Sequence, residues 1–210
     1  MKKFELTENS INWKGRTLYQ IKACKAFITS SGIEINEGEL GGWIEKEENL
    51  SQRGKAWIWG DTKIYDAAKI YGNAEIWGEA QICGKAEVFG NAQIYGNTIT
   101  GGNVEVFGNA QIYGNAEISG YAKVCDNAQI CSDAKIGGDA FISSPDDILT
   151  ITPLGKYRVS LTFFKTKNDS IKISYNWEIY TLEKFQSVMN DWTEEEQKIV
   201  KTAIEILGGC

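Results

Sequence analysis

The stretch "YGNAEIWGEAQICGKAEVFGNAQIYGN", residues 71–97, repeats one six-residue pattern. Isoleucine or valine recurs at every sixth residue, alanine stands two places before it, and glycine stands two places after it. From Ile58 to Ile142 the frame has fifteen such positions, and fourteen hold Ile or Val, with Thr100 as the exception. Because no insertion breaks the frame, residues 56–142 form one uninterrupted array of repeats.

Each repeat has the order small, polar, aliphatic, variable, glycine, Asn-like. This alternation predicts a short strand that buries its small and aliphatic residues, and the glycine predicts a turn at positive φ. One such strand cannot bury its aliphatic residue alone, but stacked copies share a continuous core. The predicted fold is mainly β, a hexapeptide-repeat parallel β-helix with three hexads per turn and about five turns over residues 50–144.

With three hexads per turn, every third hexad stacks on the same side, and the outward residues after each aliphatic residue form three columns. Face 1 carries Trp59, Trp77, Tyr95, Tyr113 and Cys131. Face 2 carries Tyr65, Cys83, Gly101, Ser119 and Gly137. Face 3 carries Tyr71, Phe89, Phe107, Cys125 and Ser143. Faces 1 and 3 are therefore predicted to hold aromatic ladders, and one corner is predicted to hold an amide ladder of Asn73, Asn91, Asn109 and Asn127.

The two aromatic ladders are the candidate functional residues. Each stacked pair of rings stabilises neighbouring strands by about 0.2–1 kcal/mol, which alone would explain the ladders. A large apolar patch, however, usually marks an interface. We expect a homodimer or homotrimer built on a ladder; cover by the C-terminal helices is the alternative. A ligand platform is a further alternative, in which a base stacks on the rings and Arg53 or Arg158 pairs with a phosphate.

The flanks of the repeat predict two caps. A β-helix has open ends whose unpaired edges invite polymerisation unless they are covered. Residues 1–49 alternate as short strands and predict an N-terminal β cap, in which Trp43 plugs the first coil. Residues 145–210 predict a C-terminal α/β cap of three strands and two helices, the second one opened by a Thr193–Glu196 capping box and ended by "GG".

Charge and composition argue against several classes of protein. A net charge of −6 with only three arginines does not suit general nucleic-acid binding. No apolar run approaches a membrane span, and the first ten residues lack the apolar stretch of a signal peptide, so we expect a cytoplasmic protein. The cysteines form no CxxC pair and predict reduced thiols, and those within the repeat fall on different faces. They are Cys24, Cys83, Cys125, Cys131 and Cys210.

The repeat resembles the left-handed β-helix family, and the left-handed coiling is implied by that resemblance. The familiar enzymes of this family are acyltransferases with a histidine base and carbonic anhydrases that hold zinc with three histidines. The chain contains no histidine, so we expect no enzymatic activity, no cofactor and no zinc. A carboxylate metal site of Asp126, Asp133 and Asp139 is the alternative, but the columns place these acids at different corners, which favours ordinary turn residues.

The whole chain also resembles a family of hexapeptide-repeat proteins common in phages and prophages, often labelled polymer-forming cytoskeletal proteins. The resemblance is carried by the "YGNA" hexads and by "GRTLYQIKA" (15–23), "GELGGWIEKEENLSQ" (38–52), "FFKTKNDSIKIS" (163–174) and "TLEKF" (181–185). It implies the fold and a phage setting inside a bacterial host, and it supplies no catalytic residues. The two predicted caps argue against open-ended filaments.

Three functional hypotheses follow. The first is a non-catalytic phage protein that binds and neutralises a host factor by occlusion or sequestration. That factor would be a component of anti-phage defence or its nucleotide messenger, and this choice rests on analogy. The second is a structural or virion-associated module in which the prism is a spacer. The third is an acyltransferase-like enzyme that uses a carboxylate in place of histidine.

Overall fold

The computed structural model describes residues 2–155 and 158–208 and shows a parallel β-solenoid of about 6 turns between two terminal regions. The N-terminal region is an antiparallel arrangement that leads into the first coil. Its strands are β1 (Phe4–Trp13), β2 (Arg16–Ala23), β3 (Phe27–Ile28), β4 (Glu34–Ile35) and β5 (Leu40–Ile44). The strands β1, β2 and β5 pair in that order, as the predicted β cap requires.

The solenoid consists of fifteen two-residue strands, five on each face. Face 1 contains β6 (Trp57–Ile58), β9 (Glu75–Ile76), β12 (Gln93–Ile94), β15 (Gln111–Ile112) and β18 (Gln129–Ile130). Face 2 contains β7 (Lys63–Ile64), β10 (Gln81–Ile82), β13 (Ile99–Thr100), β16 (Glu117–Ile118) and β19 (Lys135–Ile136). Face 3 contains β8 (Lys69–Ile70), β11 (Glu87–Val88), β14 (Glu105–Val106), β17 (Lys123–Val124) and β20 (Phe141–Ile142).

The predicted eighteen-residue register is confirmed. Ile76, Ile94 and Ile112 pair in parallel down face 1, and all three are fully buried. The alanines two places earlier are buried with them and complete a narrow aliphatic core. Thr100, which breaks the aliphatic series, is also buried, and its hydroxyl has no hydrogen-bond partner among the described residues. A buried hydroxyl of this kind costs stability, so the core tolerates Thr100 rather than gains from it.

The corners between strands use the predicted positive-φ turns. Gly120 has φ +72°, and a Cβ placed on it would lie 2.6 Å from the backbone nitrogen of Gly138 in the next coil. Glycine is therefore needed both for the backbone conformation and for the close stacking of coils. Asp126 and Ser132 adopt φ +52° and +59° at equivalent positions, so short polar residues replace glycine where the stacking allows it.

The solenoid begins earlier than the sequence predicts. β5, which lies within the predicted cap 1–49, already pairs in parallel with β7, so that Ile44 stacks on Ile64. Ile44 and Ile64 are twenty residues apart rather than eighteen, and so are the bridged Leu50 and Ile70, whereas Ile58 and Ile76 are eighteen apart. The two extra residues therefore lie between Leu50 and Ile58. The hexad frame cannot detect a coil with a two-residue insertion, which is why about five turns were predicted and about 6 are present.

Both ends of the solenoid are covered. Phe4 and Ile21 from β1 and β2 join the solenoid core at the N-terminal end, and Phe164 joins it at the C-terminal end. The prediction that Trp43 plugs the first coil is wrong. Trp43 pairs with Lys63, an outward-facing strand position, so its indole lies on the outside of face 2. Covered ends oppose coil-on-coil polymerisation.

The C-terminal region is an antiparallel sheet with two helices. Its elements are β21 (Ile148–Leu154), β22 (Val159–Lys165), β23 (Ile171–Tyr175), β24 (Glu178–Thr181), α1 (Leu182–Val188) and α2 (Glu194–Ile206). The three predicted strands and both helices are confirmed. The fourth strand was missed because its turn, Asn176–Trp177, has positive φ at both residues without a glycine.

The helices α1 and α2 pack on the C-terminal sheet through Phe185, Met189 and Val200, and they do not cover an aromatic ladder of the solenoid. The capping box is confirmed, since the Thr193 backbone N donates to Glu196 Oε2 at 2.8 Å. Gly208 follows α2 at φ +82°, and the second glycine of the predicted pair, Gly209, lies outside the described residues. Neither described helix is long and apolar enough to cross a bilayer.

Candidate binding surfaces of the solenoid

Face 1 carries a continuous ladder of aromatic rings, as predicted. The Trp77 and Tyr95 rings stack with centroids 4.8 Å apart and an interplanar angle of 2°, and Tyr95 stacks on Tyr113 at 5.1 Å and 4°. Trp59 departs from the stack because its ring is turned 87° to Trp77 at 6.1 Å. The ladder therefore consists of three parallel rings with an edge-on tryptophan at its N-terminal end.

The stacked rings present their edges, not their faces, to an approaching partner. Each ring in the ladder covers its neighbour, and all three side chains are half-buried. A base inserted between two of them would need about twice the ~3.5 Å contact distance of carbon atoms, which exceeds the 4.8 Å between the Trp77 and Tyr95 centroids. The ladder is thus poorly suited to stack a base and better suited as a contact surface for a flat partner.

Face 1 also lacks charge along most of its length. The outward strand residues beside the ladder are Gln93, Gln111 and Gln129, and they stack in register. Glu75 begins this column, but it is buried: its Oε1 accepts from the Ser30 hydroxyl at 2.7 Å and its Oε2 from the Ser31 hydroxyl at 2.6 Å. The carboxylate therefore fastens the β3–β4 loop to the solenoid and leaves the rest of the face neutral.

Two amide ladders border face 1. On the side before its strands, Asn73 donates to Asn91 at 3.0 Å, Asn91 to Asn109 at 3.1 Å and Asn109 to Asn127 at 3.3 Å, which confirms the predicted ladder. On the side after its strands, Asn97 donates to Asn115 at 3.4 Å and Asn115 to Asp133 at 2.9 Å. Face 1 is consequently a flat, neutral, aromatic strip with a polar rim, the composition that distinguishes protein interfaces from other surface.

Face 3 combines its ladder with charged residues. Tyr71 stacks on Phe89 at 4.8 Å, and Phe89 stacks on Phe107 at 5.0 Å. The adjacent strand residues are ionic, and Lys123 pairs with Glu105 at 2.8 Å. Burial, with a hydrogen bond to Glu87, raises the pKa of Tyr71 to about 12, so its hydroxyl stays protonated and donates to that carboxylate at 2.9 Å. The rings of face 3 thus lie beside hydrated charges that a partner would have to desolvate.

Face 2, which has no ladder, is the face that both caps reach. At its N-terminal end, Lys14 Nζ donates to Gln81 Oε1 at 3.0 Å, and the Arg16 guanidinium lies 5.3 Å from the Tyr65 ring centre and pairs with Asp66. Burial raises the pKa of Tyr65 to about 12. The hairpin β1–β2 therefore occupies the space that an aromatic ladder would need.

The C-terminal hairpin covers the other end of face 2. A Cβ placed on Gly137 would lie 2.8 Å from Ile179 Cδ1, so the absence of a side chain there admits the β23–β24 hairpin. Trp177 extends over the same face with its ring centre 2.7 Å from Lys135 Nζ, yet it remains 72% exposed. Between the two hairpins a shallow cavity of about 290 Å³ remains, with Ile99 on its floor.

Arg53 and Arg158 do not come together. Arg158 lies in the turn between β21 and β22, at the C-terminal end of the molecule. Arg53 lies in the loop before β6, at the opposite end, and it lines an open N-terminal cavity of about 810 Å³ that we call the basic pocket. The described residues of this pocket are Lys3, Lys25, Ala26, Phe27, Ile28, Glu34, Gln52, Arg53, Gly54 and Lys55.

Sequence reasoning missed the basic pocket and Trp177. Three of the four cations in the pocket come from segments outside the repeat or at its irregular start, where no period relates their positions. The signal was the local excess of lysine at "MKKF" and "ACKAF" in an acidic chain. Trp177 was given no role, because a tryptophan at φ +70° in a two-residue turn contradicts the usual glycine or asparagine preference.

Cysteines and acids form no cluster in the described part of the chain. Cys24, Cys83, Cys125 and Cys131 are free thiols, and Cys210 lies outside the described residues. Burial raises the pKa of the Cys125 thiol to about 11, so this thiol is a poor nucleophile at neutral pH. Asp133 accepts from Asn115 and Asp139 pairs with Lys172, and no metal-binding group of three ligands occurs within residues 2–155 and 158–208.

Comparison with known proteins gives no relative: no protein-family model matches the chain, and no curated protein is significantly similar to it. The fold and the surfaces therefore define the class, a β-solenoid with capped ends, one neutral aromatic face and one basic pocket.

Proposed function

We propose that the chain is a non-catalytic binding protein that neutralises a host factor by occlusion, with face 1 as its contact surface. The observation that supports this proposal is the composition of face 1, where Trp77, Tyr95 and Tyr113 lie beside a neutral glutamine column that neither cap covers. Interface cores are enriched in tyrosine and tryptophan and depleted in charge. The solenoid core holds this strip flat, so little conformational entropy is lost on binding.

The occupant of face 1 is a protein rather than a nucleotide. The ring faces are occupied by their neighbours in the stack, so a base gains little there, whereas a flat protein surface can contact ring edges, tyrosine hydroxyls and glutamine amides together. The resemblance to phage proteins suggests a component of bacterial anti-phage defence as the target and the bacterial cytoplasm as the location.

The isolated chain should associate with itself through the same face. Two copies of the strip would bury roughly several hundred Å² each, at about 25 cal/mol per Å² before the costs of association. This lies below the ~800 Å² per partner of a standard stable complex. We therefore expect a dimer or trimer at micromolar concentration that a larger partner replaces.

A quantitative pull-down from host cells tests the assignment of face 1. The bait proteins are the wild type, Tyr95→Glu on face 1 and, as a matched control, Phe89→Glu on face 3. A host protein retained by the wild type and by Phe89→Glu but lost with Tyr95→Glu supports the proposal. Equal recovery with all three baits, or equal loss with both variants, assigns binding elsewhere and contradicts it.

A further inference from the structure

The basic pocket concentrates positive charge in a chain that is acidic overall. Lys3, Lys25, Arg53 and Lys55 line it, and Glu34 is the one carboxylate among the described residues of its lining. None of these five groups forms an ion pair with a described residue. Lys25, Arg53 and Lys55 are exposed, so solvent screens their repulsion, and an anion bound among them would interact favourably with all three.

Lys3 is the least expected member of this group. It is 2% exposed, and among the described residues its Nζ donates to the Ala56 carbonyl alone, at 2.7 Å. Gln52 fixes the Lys3 backbone by accepting from its N–H at 2.7 Å. A buried ammonium without a carboxylate partner carries a large desolvation cost. Burial, together with the charge of Lys25, lowers the pKa of Lys3 to about 8.

No nearby carboxylate can relieve this charge. Glu47 is occupied, since Lys2 pairs with it at 2.7 Å and Gln52 donates to it at 3.0 Å. Glu34 is exposed and belongs to the short β4 strand at the rim. Among the described residues these cations thus have no carboxylate partner, and an anion from outside the chain can take that place.

The pocket also has an apolar wall. The Phe27 ring packs edge-on against Trp57 with centroids 5.5 Å apart, so it is held in place. Ile28 beside it is 56% exposed, although both residues belong to a strand. An apolar group next to four cations suits a ligand that combines a flat ring with several negative charges.

We propose that the basic pocket binds a small phosphorylated molecule with a planar apolar group, of the nucleoside phosphate class. Its phosphate groups pair with Arg53, Lys55 and Lys25 at the mouth, and its ring lies against Phe27 and Ile28. Arginine and lysine together are the usual phosphate ligands, and arginine adds bidentate geometry. This inference goes beyond the proposed function, because it concerns other residues than face 1 and stands if face 1 fails.

Binding should be linked to proton uptake. Free Lys3 with a pKa of about 8 is largely neutral at pH 9, and a polyanion nearby favours its charged form. The ligand therefore raises the pKa of Lys3, and the protein takes up about one proton at pH 9 and almost none at pH 6.5. The other charged groups of the pocket, Lys25, Arg53, Lys55 and Glu34, are all exposed, whereas Lys3 is buried.

Isothermal titration calorimetry of the full chain tests the proposal with ATP, pyrophosphate and adenosine at pH 7. ATP and pyrophosphate are expected to bind saturably, and adenosine is not. Arg53→Ala and Lys55→Ala should each raise the Kd for ATP roughly tenfold or more, as expected for one lost charge-assisted contact. Lys85→Ala, which removes an exposed turn lysine outside the pocket, is the matched control and should leave the Kd unchanged.

The proton count is the second readout. Titration at pH 9 in buffers of different ionisation enthalpy should show uptake in the wild type and none in Lys3→Met. If Lys3→Met does not fold, the Arg53 and Lys55 variants still decide the outcome. Three results would each overturn the proposal: no saturable binding of either phosphate compound, adenosine binding as tightly as ATP, or the same change of Kd in Lys85→Ala as in Arg53→Ala.

Discussion

Face 1 and face 2 are built from the same hexads and have similar inward columns, with Thr100 of face 2 as the break in the aliphatic series, yet their outward residues differ. Face 1 keeps large rings from Trp77 to Tyr113 and a column of neutral amides from Gln93 onward, and the N-terminal cap is hydrogen-bonded to it at Glu75. Face 2 replaces the rings with Gly101, Ser119 and Gly137, and hairpins from both caps lie over its two ends. The repeat therefore determines which residues point outward, and the neighbouring cap determines which outward residues are possible.

The caps of the same chain therefore explain why face 2 has no aromatic ladder. The absence of rings on face 2 does not by itself imply that the other faces are interfaces, since the caps need the room. The case for face 1 rests instead on its lack of charge, because face 3 has an equally regular ladder beside Lys69, Glu87, Glu105 and Lys123.

The substitution with the largest expected effect tests which side of a solenoid strand is buried. Ile94→Asp places a charge in the core with no partner and should unfold the solenoid, a loss on the order of 4 kcal/mol or more. Gln93→Asp, one residue earlier and outward, is the control and should stay folded. Thermal unfolding followed by circular dichroism measures both. Similar melting temperatures for the two variants would refute the predicted alternation.

A smaller effect tests how the N-terminal cap is attached at the start of face 1. Glu75→Ala removes the carboxylate that holds Ser30 and Ser31, and should cost about 2 kcal/mol, because charge-assisted hydrogen bonds are lost. Glu87→Ala removes a half-buried acid at the same strand position on face 3, which accepts one hydrogen bond from Tyr71, and should cost about 1 kcal/mol. Urea unfolding of both variants gives the comparison. Equal free energies of unfolding would show that the buried carboxylate does not fasten the loop.

A ring inserted into face 2 tests the explanation for its small residues. Gly137→Tyr would collide with Ile179 and should displace the β23–β24 hairpin, at a cost of about 1–3 kcal/mol. Cys131→Tyr adds a ring beyond Tyr113 on face 1, where no hairpin lies. It should be neutral or should stabilise the protein by roughly a few tenths of a kcal/mol. Amide hydrogen exchange in β23 and β24 reports the displacement. Unchanged protection in Gly137→Tyr would mean that the cap does not exclude rings from face 2.

The sequence was sufficient for the regular part of the molecule. The six-residue period places Ile76, Ile94 and Ile112 in one column and the rings of Trp77, Tyr95 and Tyr113 in another. Three hexads make one turn, so residues eighteen apart must stack on each other. The period did not predict the additional coil that begins at β5. Two extra residues follow Leu50, so β5 is out of the six-residue frame.

The surfaces were harder to predict than the core. Arg53 was identified as a ligand-binding residue, but its neighbours Lys3 and Lys25 come from the N-terminal cap, and only tertiary packing brings them to it. The position of Arg158 at the far end is equally a matter of how the C-terminal sheet packs. Contacts between a repeat and an irregular cap follow no period, so they must be observed.

The claim that face 1 is an interaction surface is tested most directly by the mass of the protein in solution. Light scattering at micromolar concentration should give a dimer or trimer of the 23.4 kDa chain. Tyr95→Glu should reduce this mass to that of the single chain without a change in the circular dichroism spectrum, because the side chain points outward. A wild-type protein that scatters as a 23.4 kDa monomer would contradict self-association through face 1.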